Sequence, residues 1–119
     1  MAKALHAASQ GVGFIYVKGH GIQEAIIEAA HASALEFFRH STLDKSTVTV
    51  SPKHRGWLGQ GGAVMTDGGK TDLKESFIWG AEDADGNTEE DHPLRGNNHW
   101  PTFVPELQRH AMNYFRQAH

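Results

Sequence analysis

Nine histidines, at positions 6, 20, 31, 40, 54, 92, 99, 110 and 119, carry the most obvious chemistry in this chain. Imidazole is the commonest metal ligand and the side chain that titrates near neutrality. Their spacing does not build a site. No two are four residues apart, so no helix presents two imidazoles to one metal, and His-Glu-x-x-His is absent. There is also no His-x-Asp or His-x-Glu, the local half of a two-histidine, one-carboxylate iron site. The histidines therefore read as surface and turn residues, with assembly from distant segments as the alternative. The chain is expected to bind no metal or cofactor of its own and to hold no catalytic residue.

Other motifs fail on inspection. Gly59-Gln60-Gly61-Gly62-Ala63-Val64 starts like a dinucleotide fingerprint, but the third glycine and the strand–helix frame are missing. Asp83-Ala84-Asp85-Gly86-Asn87 is reminiscent of a calcium loop. Setting its glycine at the turn position puts Ala81 and His92 where carboxylate ligands belong. No serine stands in a nucleophile-elbow context. With no cysteine, disulfide scaffolds, thiolate zinc sites, iron–sulfur clusters and thiol nucleophiles are all excluded.

The elements that would position any site are short. Residues 2–10 are helix-compatible and Gly11 is a natural terminator. Gly13-Phe14-Ile15-Tyr16-Val17 predicts a strand buried on both faces, and Gly19-His20-Gly21 a sharp turn in which His20 bridges backbone groups. A helix is expected from about Gln23 to Arg39, with Ile26, Ala30, Ala34 and Phe38 as its apolar stripe. Ile27, Leu35 and Phe37 widen that stripe. Residues 47–50, Arg55–Leu58 and Glu75–Trp79 read as short strands. Leu73, Glu75, Phe77 and Trp79 fall on one face. Residues 80–99 form a polar loop holding six of the fourteen acids within ten positions. A last helix starts near Pro105, with Leu107, Ala111, Tyr114, Phe115 and Ala118 inward.

This is an α+β pattern of short strands with two to three helices, a single domain over 1–119. Eleven basic and fourteen acidic side chains leave a net charge of −3, which argues against a nucleic-acid partner. No apolar run approaches the roughly 20 residues of a membrane span, and the N-terminus lacks a secretion-signal core. The expectation is a cytoplasmic protein without membrane contact.

Taken in order, several segments form a recognisable series: Gly13–Ile22, Phe37-Phe38, Lys45, His54-Arg55-Gly56-Trp57, Asp72-Leu73-Lys74-Glu75-Ser76-Phe77 and Asn97-Asn98-His99-Trp100-Pro101. The series resembles the N-terminal region of isopenicillin N synthase-like non-haem iron(II), 2-oxoglutarate-dependent dioxygenases. Gly19 stands where that family usually has asparagine, a change that left-handed backbone geometry tolerates. The resemblance implies that Arg55 and Trp57 lie on a strand near the mouth of the active site and bind substrate. Arg55 would grip a carboxylate bidentately and Trp57 would form a wall. The other reading is an exposed arginine beside a core tryptophan.

The same resemblance implies that the chemistry resides in a double-stranded β-helix domain, expected to be absent from this chain. That domain would supply His-x-Asp and a distal histidine for iron, and Arg-x-Ser for 2-oxoglutarate. Arg39-His40-Ser41 spells the last motif but lies too early in the order and reads as coincidence. Iron(II) and 2-oxoglutarate are thus implied for a complete enzyme, while this chain alone is expected to be inactive. Its expected partner is the missing C-terminal catalytic domain, or a second copy through the same docking surface. The latter fits a stand-alone binding or interaction module derived from such an enzyme.

Overall fold

The computed structural model describes residues 2–62, 71–82, 94 and 96–119. The acidic loop from Asp83 to Pro93, with its calcium-like run, lies outside them, as do His92 and the Val64-Met65 that follows the glycine cluster. Within the described residues the order is α1 (Ala2–Gln10), α2 (Glu24–Arg39), α3 (Thr42–Ser46), β1 (Gly56–Leu58), β2 (Ser76–Ile78) and α4 (Glu106–Ala118). The α+β expectation holds, with four helices rather than two to three and one two-stranded antiparallel sheet.

The long helix α2 forms where the apolar periodicity places it, with Glu24 in the first turn and Arg39 in the last, both favourable to the helix dipole. Its fully buried positions are Ser33 and Phe37. Ser33 satisfies its hydroxyl on the carbonyls of Ala29 and Ala30, at 3.0 and 3.1 Å, so a polar side chain sits on the packed face at little cost. Helix α4 packs against α2 with Leu107 and Ala111 at their shared groove, and Met112 is buried as well. Tyr114 and Ala118, placed inward by the periodicity, are exposed, and Met112 takes a buried place instead.

The core is the meeting of these helices with the sheet. Phe37, Val48, Trp57, Val104 and Leu107 are buried, with Phe38, Phe77, Trp100 and Phe103 packed against them. Phe37 is the hub: its ring lies 4.8 Å from Phe77, 5.2 Å from Phe38 and 5.8 Å from Phe103. Burying a side chain of this size stabilises by about 2–3 kcal/mol.

Strands β1 and β2 pair with Trp57 opposite Phe77, inside the ranges expected for them. Residues 47–50 do not form a strand of their own. They run beside β1 through a single parallel bridge, Thr49 to Trp57, and Val50 N–H donates to the Trp57 carbonyl at 2.8 Å. Gly56 makes this close approach possible. Its φ is +116°, and a Cβ there would lie 2.5 Å from the Val48 carbonyl oxygen.

Helix α3 is an addition to the expected elements, and its signal is local. Ser41 Oγ accepts from Asp44 N–H at 3.1 Å and donates to Asp44 Oδ2 at 2.7 Å, a serine N-cap in the sequence Ser-x-x-Asp. This also explains Arg39-His40-Ser41: its serine caps a helix.

The largest correction concerns residues 13–17. The expected strand, buried on both faces, is instead irregular and exposed, with Phe14 81% and Tyr16 100% accessible. A strand buried on both faces needs neighbours to pair with and layers to cover it. The two-stranded sheet provides neither, and no hydrogen bond among the described residues reaches the backbone of 14–17. Helix α1 likewise buries no residue, and the positive φ after it falls at Gly13 rather than at Gly11.

Candidate functional site

Trp57 and Arg55 leave β1 in different environments. Trp57 is 9% exposed, and its indole N–H donates to Glu75 Oε2 at 2.6 Å. Lys45, from α3, places Nζ 2.9 and 2.8 Å from the two Glu75 oxygens and 3.2 Å from the Phe38 carbonyl. The ammonium thus has an acceptor for each of its three protons. It also stands 5.6 Å from the centroid of the Trp57 ring. One lysine, 5% exposed, ties the end of α2 to β2 and braces the tryptophan of β1.

Burial raises the Glu75 pKa. The hydrogen bonds from Lys45 and Trp57, with the charge of Lys45, outweigh it and hold the carboxyl below its ordinary value. Neither Lys45 nor Glu75 had a role in the sequence-based reading beyond the resemblance. A signal was present: Glu75 alternates with Phe77 and Trp79 on an apolar face. A carboxylate in that position needs a cation or donors beside it.

Arg55 spends its guanidinium on backbone. Nη1 donates to the carbonyls of Lys53 and His54, at 3.3 and 3.1 Å, and Nη2 to the Leu94 carbonyl at 2.7 Å. Its Nε is buried, with no hydrogen-bond partner among the described residues. The group lies against the far end of β2, where a Cβ on Gly80 would come within 2.5 Å of Nη2. A side chain at position 80 would push the guanidinium aside.

The Asn98–Pro101 segment closes the same corner. Asn98 pairs with the Gly80 backbone in both directions at 2.9 Å, accepting from its N–H and donating to its carbonyl. Glu82 Oε1 receives Asn98 Nδ2 at 2.9 Å and the Trp100 indole N–H at 2.6 Å. Trp100 packs on Phe77 at 5.8 Å and Pro101 is buried. Leu73, expected on the inward face with Glu75 and Phe77, is exposed because β2 begins only at Ser76.

The histidines are dispersed. His20 accepts from the Ile22 N–H at 3.2 Å within its glycine turn. His40 lies 3.5 Å from Asp44, and His99 lies 3.3 Å from the Thr49 carbonyl. His110 stands 3.6 Å from Glu106 on the same helix face. Among the described residues no three histidines or carboxylates gather closely enough for a metal. The pairs His40–Asp44 and His110–Glu106 do not make up an iron centre. A groove of about 250 Å³ runs between α2 and α4, lined by Ile27, Ala34, Phe38, Phe77, Trp79 and Leu107, with His31 and Tyr114 as its polar members. No described helix is long and apolar enough to cross a membrane.

A family described as the N-terminal domain of non-haem dioxygenases in morphine synthesis matches residues 1–103, and the chain belongs to that family. Among curated proteins it is 29% identical to a probable iron/ascorbate oxidoreductase of Dictyostelium discoideum, over 91% of this chain and 31% of that protein. It is 30% identical to 1-aminocyclopropane-1-carboxylate oxidase of Dictyostelium mucoroides, over 100% of this chain and 32% of the other. A homoarginine-6-hydroxylase of Oryza sativa subsp. japonica is 26% identical over 96% and 35%. The chain therefore spans about a third of the length of the curated relatives it matches. No solved structure gives a significant match.

Proposed function

We propose that this chain is the N-terminal part of an isopenicillin N synthase-like, iron(II)- and 2-oxoglutarate-dependent oxygenase of the cytoplasm, an oxidoreductase acting on a small organic substrate. By itself it is catalytically inactive. The observation that carries the reading is the family match over residues 1–103. The chain's own contribution is a braced corner: β1 and β2 held by Lys45, Glu75 and Asn98. From this corner Arg55 and Trp57 face the substrate of the complete enzyme. The resemblance supports the polar contact for Arg55, whose guanidinium is otherwise held by the carbonyls of Lys53, His54 and Leu94. Trp57 is a wall whose ring is fixed through its N–H.

Two measurements test this. Purified chain given iron(II), ascorbate and 2-oxoglutarate is expected to show no co-substrate-dependent O₂ uptake, and robust turnover would overturn the claim of inactivity. The coding sequence beyond His119, in frame or in an adjacent gene, is expected to spell His-x-Asp, a distant histidine and Arg-x-Ser. Their absence from both would overturn the oxygenase assignment.

A second reading, a self-associating module without catalysis, is favoured by one observation: the exposed apolar strip from Val12 to Val17. Sedimentation of the purified chain tests it, a compact monomer counting against it.

A further inference from the structure

We draw no further inference here: the strongest candidate, the apolar groove between α2 and α4 lined by Phe38, Phe77, Trp79 and Tyr114, lies bare in a chain spanning about a third of its relatives' length, and nothing in the structure shows what covers it.

Discussion

Lys45 and Glu75 are thirty residues apart in sequence and share two hydrogen bonds, at 2.9 and 2.8 Å. The lysine comes from α3 and the glutamate from the residue preceding β2, so this pair fixes where the helical half of the domain meets the sheet. Lys45 is almost fully buried, which makes the pair sensitive to loss of either member.

Lys45→Ala is expected to destabilise the chain by about 3 kcal/mol. It leaves the Glu75 carboxylate and the Phe38 carbonyl without their donor, and breaking a buried pair costs more than the pair itself contributes. Urea unfolding checks this. The double variant Lys45→Met, Glu75→Leu should recover part of the loss because no charge is then stranded.

Stability is expected to fall on acidification. Glu75 titrates below its ordinary 4.5 in the folded chain. Between the folded and unfolded values the unfolded state binds more protons. The contribution is therefore complete above pH 4.5 and disappears as pH drops through the lower folded value. Urea midpoints from pH 7 to pH 3 should show the decline, and Glu75→Gln should flatten it. An unchanged acid limb in that variant would assign the decline to other carboxylates.

Gly56→Ala is expected to cost about 3 kcal/mol or more. A positive φ of 116° strains any side chain, and the added Cβ would meet the Val48 carbonyl oxygen. Gly13→Ala, also at positive φ but with no atom within 4 Å, should cost less. Thermal melts of the two variants separate collision from backbone strain.

Asn98→Ala is expected to cost about 2 kcal/mol, because it strips both hydrogen bonds from the Gly80 peptide at the end of β2. Hydrogen exchange at Gly80 reports it directly: the amide should lose protection in the variant while the amides of α2 keep theirs.

Ser41→Ala removes the cap of α3 and should cost about 1 kcal/mol. Asp44 is held below its usual carboxylate range first by the Ser41 hydroxyl, so its resonance should titrate higher in the variant.

Much of the framework was legible in the residues. The apolar spacing of α2 and α4 and the strand alternation at 75–79 each record a requirement written along one stretch of chain. The Ser-x-x-Asp cap of α3 was equally local and was passed over. Residues 13–17 were misplaced because composition reports a preference for pairing and says nothing about where the neighbour is. The site behaved in the same way. Arg55 and Trp57 stood out by type, but whether each faces ligand, carbonyl or core depends on residues eighteen to thirty-nine positions away.

The chemistry of this chain followed from its histidines. Nine imidazoles without a shared spacing read as surface and turn residues, and the structure places His20 within its glycine turn. Sequence alone determined the family and the three longer helices, because ordered motifs and periodicity are written along the chain. Tertiary structure decided that Lys45, Trp57 and Glu75 are one buried unit and that Phe14 and Tyr16 stand in solvent. Burial and pairing are set by which distant segments come together, and no single segment carries that information.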